Sequence, residues 1–519
     1  MADPQPLLSQ LSDHTTDSHQ DQQCNKKESM DELIEQTIGK FGWAQVVQAI
    51  LVSLASIFDS QQAFLSVYTD AEPTWHCINN CDSSNSNICS LPADSEWTWD
   101  GIASKTIISE WGLECSTAFI RGLPASSHFM GCIAGTFFIA RIADSSLGRK
   151  NMLFLSCLVM SITTSITILT NNVWIYSLMR FVTGVGRASI GTCTIVLLME
   201  KVGRKWRNLV GIMDFFFFTA GIVSLPTIAY INRDSSWRTL YLWTSVPALV
   251  YSAFLYVFVS ESPRWLLMQG REEEAMRTLE SLSTLNDIKL RMPSALYVGR
   301  KTSKVDVDDR FSSIKGLFGR RWARRRILAL IILGFGIGLT YYGMTLGIGN
   351  LGFDIYLSVV FNGVIEISSF VVTYLVIEKW NRKSSLLIMC VASGIFSLMI
   401  ILVGDERAET IKIGLELASF FGACMAYNMI MIYAIELFPT CVRNFATSMA
   451  RQAITFGAVL SSILVAAGGD NKLVAYVVFG IVILCCGFFV VGLPETKGAP
   501  LFDTMDEQER HDNIDSIVV

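Results

Sequence analysis

The stretch LVAYVVFGIVILCCGFFVVGL, at residues 473–493, decides the class of fold. It runs for about 20 residues without a charge, the length that a helix needs to cross a bilayer core about 30 Å thick. Similar uncharged runs lie at 151–169, 239–259 and 386–403. The chain of 519 residues is 17% charged, whereas soluble proteins have about 25% charged residues. The sequence therefore predicts an all-α membrane protein.

Twelve spans can be placed in this way, and the loops between them indicate their direction. They lie at 44–67, 124–143, 151–169, 174–198, 209–231, 239–259, 327–347, 355–377, 385–403, 411–434, 445–467 and 473–493. Lys and Arg cluster in every second loop, which is typical of loops on the cytosolic side. We therefore expect both termini in the cytosol. The expected divisions are a disordered tail 1–43, an N-terminal half 44–259 with a large non-cytosolic loop 68–123, a linker 260–326, a C-terminal half 327–493 and a tail 494–519.

Acidic and basic landmarks recur six spans apart. Glu200 precedes Arg207 by seven residues, and Glu436 precedes Arg443 by the same seven. Two homologous halves around a midplane cavity are the plan of many secondary transporters, so we expect two six-helix pseudo-repeats. Paired charges at helix ends can act as latches that form in one state and break in another, whereas topology anchoring would explain only the bases. The predicted gating residues are Asp144, Arg149, Glu200, Arg207, Glu378, Arg382, Glu436 and Arg443.

Signatures of an enzyme, of an ATP-driven pump and of a nucleic-acid-binding protein are missing from the sequence. It has no G-x-x-x-x-G-K-[ST] motif to hold phosphates, and its five histidines form no metal-ligand pattern. The net charge of −5 argues against a nucleic-acid partner. We therefore expect no catalytic residue, no cofactor and no metal, and transport driven by an ion gradient or by the membrane potential.

Charged side chains inside the predicted spans mark a candidate substrate site. A charge at the bilayer centre costs about 3 kcal/mol or more, so it faces a partner, water or a substrate. Glu366 lies in the middle of its span, and aromatic rings near such an acid suit a quaternary ammonium through cation–π contacts. Structural pairing explains Arg141, Arg180 and Arg187 equally well, and simple packing explains most of the rings. The candidates are Asp59, Asp214, Glu366, Tyr342 and Tyr427.

Four cysteines share the predicted non-cytosolic loop. They are Cys77, Cys81, Cys89 and Cys115. We expect them to be oxidised on that side of the membrane. Four cysteines allow three pairings, among which the sequence does not choose.

The end of this loop and the end of the chain carry a family resemblance. The motifs are WTWD at 97–100, SEWGLEC at 109–115 and LPETKGAPLFDT at 493–504. They resemble the organic cation/anion/carnitine transporters of the major facilitator superfamily, and FDSQQAF at 58–64 resembles the plant organic cation/carnitine branch. The resemblance covers about residues 44–505. It implies the major facilitator fold, alternating access and a small organic cation or zwitterion, such as carnitine or a choline-like solute, as substrate.

The resemblance also implies roles for individual residues. Glu366 matches the acid of the eighth span that cation-transporting members use, whereas their acid of the tenth span falls on Asn428. Their charged position in the eleventh span falls near Thr455, with Arg451 one turn earlier. A zwitterion would then place its ammonium near Glu366 and its carboxylate near Arg451. Coupling to a proton, coupling to sodium and uniport all stay open, and we expect a monomer.

The N-terminal tail carries a candidate sorting signal. Asp3 precedes Leu7 and Leu8 in the acidic dileucine pattern that sorting adaptors bind. In plants such signals often direct proteins to the vacuolar membrane, which we expect here, with the plasma membrane as the alternative.

Two other functions compete with cation transport. A sugar porter would need amide-rich sites rather than mid-span acids, and a non-transporting sensor would have no use for repeated gates.

Overall fold

A computed structural model of the chain describes residues 42–79, 88–143, 147–282, 317–403, 409–468 and 473–518, apart from positions 93, 352, 377, 378, 499–501 and 503. Six residues with a predicted role lie outside this described part, namely Asp3, Leu7, Leu8, Cys81, Asp144 and Glu378. The predicted tail 1–43 and linker 260–326 are only partly described, so their outlines stay predictions.

Long helices dominate the described chain, because an apolar segment in lipid must satisfy its backbone hydrogen bonds internally. Among the described residues, eleven helices are long and apolar enough to cross a membrane. A further helix of 26 residues occupies the place of the second predicted span. We number the twelve α1 (Trp43–Thr69), α2 (Ala118–Ala143), α3 (Arg149–Thr167), α4 (Val173–Lys201), α5 (Leu209–Ile231), α6 (Trp237–Phe258), α7 (Arg321–Gly347), α8 (Ile355–Val376), α9 (Arg382–Leu402), α10 (Thr410–Glu436), α11 (Cys441–Ala467) and α12 (Val474–Gly492).

The two halves repeat the same close helix contact. Helix α1 packs on α5, and α7 packs on α11. A Cβ atom added at Gly221 of α5 would lie 2.4 Å from the Ile57 carbonyl oxygen of α1. A Cβ atom added at Gly457 of α11 would lie 2.5 Å from the Phe335 carbonyl oxygen of α7. Each glycine follows the arginine of its half, Arg207 or Arg443, by 14 positions, so the repeat read from the charges extends into the packing.

Two lateral seams join α1–α6 to α7–α12. In the first, Ser126 of α2 donates to the Val459 carbonyl oxygen of α11 over 3.0 Å. In the second, the rings of Phe215 on α5 and Phe370 on α8 stack with centroids 4.7 Å apart. The halves thus pack against each other at α2–α11 and α5–α8.

The described part of the loop after α1 is fastened to α4 and α6. Strands β1 (Trp75–Asn79) and β2 (Glu96–Trp99) pair antiparallel, and a short helix follows at Ile107–Trp111. The Glu110 carboxylate accepts hydrogen bonds from the Trp237 indole and from the Arg238 guanidinium, each at 2.7 Å. The ring of Trp111 packs edge-on against Tyr176 and Trp237.

Disulfides hold the same loop together. Cys89 and Cys115 are joined, and Cys77 is also disulfide-bonded. The structure therefore shows three of the four predicted cysteines in the oxidised form, and the fourth, Cys81, lies outside the described residues.

The segment after α12 contains a helix of its own. It spans Met505–Val518, within the predicted tail 494–519. Arg320, just before α7, forms ion pairs with Asp506 and Glu509 of this helix. Both ends of the C-terminal half therefore meet on the side that the charge pattern predicts to be cytosolic.

Candidate functional site

A buried carboxylate surrounded by aromatic rings lies between α7, α8 and α10. Glu366 of α8 is 4% exposed, and its Oε1 accepts a hydrogen bond of 2.7 Å from the Tyr341 hydroxyl of α7. The Tyr341 ring packs at 5.0 Å from Tyr342, 5.3 Å from Tyr427 and 5.4 Å from Phe420, measured between centroids. This arrangement combines one negative charge with several π faces, which suits an organic cation.

Tyr342 extends this aromatic cluster to the N-terminal half. Its ring lies 6.1 Å from that of Phe64 on α1 and 4.9 Å from that of Phe129 on α2. Further toward the predicted non-cytosolic end, the Tyr68 ring of α1 stacks on Tyr356 of α8 at 5.6 Å. The two halves therefore touch through aromatic rings on that side of Glu366.

An ion pair from the N-terminal half lies near the same centre. Arg187 of α4 places its Nε 2.8 Å from the Asp59 Oδ1 of α1, and both side chains are largely buried. Arg451 of α11 interacts electrostatically with Asp59 and with Tyr427. The Arg451 guanidinium also donates to the Thr192 hydroxyl of α4 over 3.1 Å, so it bridges the halves. The structure thus brings predicted residues from both halves together.

The remaining predicted substrate residues lie at the edges of this centre. Asn428 of α10 donates to the hydroxyls of Ser369 and Thr373, which follow Glu366 along α8. Asp214 of α5 is set apart, because its carboxylate accepts a hydrogen bond of 2.7 Å from Ser56 at the α1–α5 contact. Asn428 therefore lies beside the part of α8 between Glu366 and the predicted cytosolic end, whereas Asp214 lies within the N-terminal half.

Two predicted gating residues of the C-terminal half, Arg382 and Glu436, belong to one connected cluster. The Arg382 guanidinium contacts the Glu436 carboxylate at 3.3 Å, and the Thr496 hydroxyl donates to the same carboxylate over 2.6 Å. The Glu495 carboxylate accepts the backbone N–H of Arg382 at 2.8 Å, at the first turn of α9. Arg443 donates instead to the Phe438 carbonyl oxygen over 3.2 Å. The basic partner that the structure gives Glu436 is thus Arg382.

The N-terminal half repeats the carboxylate at a helix start. Glu261 accepts the backbone N–H groups of Arg149 and Lys150 at 3.0 Å each, at the first turn of α3. A carboxylate at this place satisfies N–H groups that a helix leaves unpaired and complements its dipole. Oε2 of Glu200 is buried without a hydrogen-bond partner among the described residues, and Arg207 begins the helical segment Arg207–Ile231.

One titratable group just outside α1 has a perturbed proton affinity. Asp70 accepts hydrogen bonds from the Thr69 hydroxyl at 2.8 Å and the Tyr176 hydroxyl at 2.9 Å. Burial raises the pKa of Asp70 from its ordinary value of 3.8 to about 6, although the charge of Arg180 acts in the opposite direction. Its charge therefore changes in mildly acidic solution.

Sequence reasoning did not predict three pairings. Tyr341, not its neighbour Tyr342, bonds Glu366. Arg187 is the partner of Asp59, although the sequence only suggested some structural pairing for it. Glu416 pairs with Asn362, an amide that no motif marks. The spacing of polar residues along α8 was the signal available for that pair.

The helices and the charged centre between two six-helix halves define a major facilitator transporter. The family model for the sugar (and other) transporter family matches residues 40–507. Organic cation/carnitine transporter 3 of Arabidopsis thaliana is 49% identical over 487 residues, covering 93% of each chain. Organic cation/carnitine transporter 2 of the same plant is 46% identical, covering 100% of this chain and 99% of that protein. The chain therefore belongs to the organic cation/carnitine transporters, which confirms the resemblance read from its motifs.

Solved structures support the fold independently. The inward-open xylose transporter XylE from E. coli superposes with a TM-score of 0.59 at 15% identity, covering 88% of this chain and 98% of that one. A D-xylose-proton symporter gives 0.59 at 17% identity, with 89% and 100% covered. At this level of identity the likeness shows the fold alone. It confirms the predicted major facilitator architecture.

Proposed function

We propose that this protein transports small organic cations or zwitterions, such as carnitine or choline-like solutes, across a membrane by alternating access. The single observation that carries the proposal is the Glu366 carboxylate, buried in the C-terminal half and bonded to Tyr341, whose ring packs against Tyr342 and Tyr427. A buried charge of this kind is costly in a membrane protein unless it serves a partner. The names of the Arabidopsis relatives agree with a cationic substrate.

The two ends of a zwitterion have separate candidate partners. A quaternary ammonium carries no N–H donor, so it is bound by charge and by aromatic faces rather than by directed hydrogen bonds. Glu366 and its tyrosines supply both. Arg451, which is exposed and already reaches across the halves to Thr192, would bind a carboxylate. Asp59 and Arg187 neutralise each other beside it and would set the local charge balance.

Alternating access follows from where the halves touch. The ring contacts Phe64–Tyr342 and Tyr68–Tyr356 link the halves on the predicted non-cytosolic side. On the cytosolic side, the contact between Arg382 and Glu436 stays within one half. We propose that opening to the non-cytosolic side separates these rings, while the predicted gating residues of the two halves approach each other.

Energy and location are further parts of the proposal. A proton gradient or the membrane potential would drive transport, since the family is one of transporters and the chain has no nucleotide-binding motif. We place the protein in the vacuolar membrane on the basis of Asp3, Leu7 and Leu8, which a sorting adaptor would bind. Replacing Leu7 and Leu8 by alanine should then move a fluorescent fusion to the plasma membrane.

The test is uptake of radiolabelled carnitine, choline and glucose into vesicles that contain the protein. We expect carnitine or choline to accumulate, Glu366→Gln to reduce that uptake at least tenfold, and Arg451→Ala to reduce carnitine uptake more than choline uptake. Gly211→Ala is a matched control, because a Cβ atom there meets nothing within 4 Å. Accumulation of glucose alone would favour the sugar porter, with which the sugar (and other) transporter family model is also compatible.

A further inference from the structure

A stripe of buried polar side chains runs along α8, through Glu366 and past it in both directions. Its members recur every three or four residues, so they share one face of the helix. That face packs against α10. The buried members are Ser358, Asn362, Glu366, Ser369 and Thr373.

A second buried carboxylate faces this stripe. Glu416 of α10 is 0% exposed, and its Oε1 accepts one hydrogen bond of 3.4 Å from Asn362 Nδ2. Its Oε2 and the Asn362 Oδ1 are both buried, and neither has a hydrogen-bond partner among the described residues. None of the ion pairs between described residues involves Glu416. A carboxylate held in this way costs several kcal/mol unless it gains a positive charge.

A single proton would give both of these oxygens a hydrogen bond. If Oε2 carries a proton, it donates to Asn362 Oδ1 while Asn362 Nδ2 donates to Oε1, and the acid and the amide close a ring of two hydrogen bonds. Exchanging the amide nitrogen and oxygen leads to the same requirement, because two oxygens would then face each other and need a proton between them. The pair is therefore complementary to a proton in either orientation.

We propose that Glu416 and Asn362 form a proton-binding site, separate from the substrate site, whose proton is loaded from the non-cytosolic side and crosses the membrane with the substrate. Loading converts the carboxylate to the carboxylic acid, and release on the other side restores it, with no other bond made or broken. The site deepens the proposed function and rests on it, since coupled movement needs a transported solute.

Two neighbours along α8 connect the site to its surroundings. Ser358 lies one turn before Asn362 toward the predicted non-cytosolic end, and its buried hydroxyl has no hydrogen-bond partner among the described residues. A hydroxyl both accepts and donates, which suits Ser358 to relay a proton along this face of α8. Glu366 lies one turn after Asn362. Protonation of Glu416 thus changes the charge on a group whose partner, Asn362, lies one helical turn from the substrate carboxylate.

Other ionisable side chains surround Glu416. On its own helix are Lys412, one turn earlier, and Cys424, and the latter interacts with it electrostatically. From α12, Tyr476 interacts with it electrostatically while donating its hydroxyl to the Gly347 carbonyl oxygen over 2.9 Å. Further buried ionisable groups on the packed helices include Tyr341 of α7, Glu366 of α8 and Cys390 of α9.

Infrared spectroscopy of the purified protein tests the proton directly and needs no substrate. We expect difference spectra between alkaline and acidic buffer to show the C=O band of a protonated carboxyl that Glu416→Gln removes. Asn362→Leu should shift the band to higher frequency, because the C=O group loses its hydrogen bond. Asn428→Leu is the matched control, since Asn428 bonds Ser369 and Thr373 instead. Spectra in which Glu416→Gln removes no carboxyl band, or in which no band responds to Asn362→Leu, overturn the site.

Transport in liposomes tests the coupling. We expect an inward proton gradient to raise radiolabelled carnitine accumulation several-fold in the wild type. In Glu416→Gln the gradient should no longer stimulate accumulation. Carnitine counterflow should stay within about twofold of the wild type, because glutamine reproduces the hydrogen bonds of the protonated pair. Gradient stimulation that persists in Glu416→Gln overturns the proposal. If the wild type moves neither carnitine, choline nor glucose, the proposed function fails, and the infrared result still decides whether Glu416 binds a proton.

Discussion

Replacing Gly221 by alanine should force α1 and α5 apart. The added Cβ atom would lie 2.4 Å from the Ile57 carbonyl oxygen and 2.0 Å from the Ser60 hydroxyl oxygen. The serine side chain can rotate away, but the backbone oxygen cannot. A comfortable carbon–oxygen contact is about 3.4 Å, so the helices must separate by about 1 Å. Overpacking of this kind costs about 1–3 kcal/mol.

The thermal midpoint of the purified protein in detergent measures this effect. Each kcal/mol corresponds to about 2–4 °C in a domain of roughly 200 residues, so we expect Gly221→Ala to lower the midpoint by several degrees. Gly211→Ala lies on the same helix and meets nothing within 4 Å. It should leave the midpoint unchanged or raise it, since alanine favours helix over glycine by about 1 kcal/mol. Equal midpoints for the two variants would refute the claim that the α1–α5 contact depends on Gly221.

Three further predictions follow from contacts outside the substrate site. Because the pKa of Asp70 is raised to about 6, the folded protein holds a proton that the unfolded chain releases above 3.8. Stability should therefore fall as pH rises from about 4 to about 6, and Asp70→Asn should flatten this part of the profile of thermal midpoint against pH. Glu110→Gln should lower the midpoint more than Asp94→Asn, a change at an exposed loop residue, because Glu110 accepts hydrogen bonds from Trp237 and from an arginine of α6. Glu436→Gln should slow transport at saturating substrate while leaving the KM within about twofold, since its partner lies at a helix end far from Glu366; an equal loss of apparent affinity would contradict a gating role.

The order and approximate ends of the helices could be predicted from the sequence because lipid demands long uncharged runs. The second span shows where this reasoning stops. It was expected to begin at 124, yet α2 begins at Ala118. The added turn includes Arg121, which faces Glu72 of the loop at 3.8 Å, and the helix accommodates Pro124. The contact between Arg121 and Glu72 thus accompanies a helix that is longer than the uncharged run from which hydropathy predicts a span.

The candidate site was predicted in its parts but not in its pairings. Glu366 could be recognised because it stands in the middle of an apolar run. Adjacent tyrosines point in directions about 100° apart on a helix, so choosing between Tyr341 and Tyr342 requires knowing how α7 is rotated. Arg187 and Asp59 are 128 positions apart in the chain. Only packing shows that they meet, because no local pattern records which helices are neighbours.

The fastening of the loop through Glu110 and Trp111 has a practical consequence. These contacts join it to α4 and α6, so the loop belongs mechanically to the N-terminal half. An antibody fragment raised against the hairpin of β1 and β2 would travel with that half as one body. In electron micrographs it would serve as a fiducial, and its angle to a tag on the C-terminal helix Met505–Val518 would report how far the two halves rock.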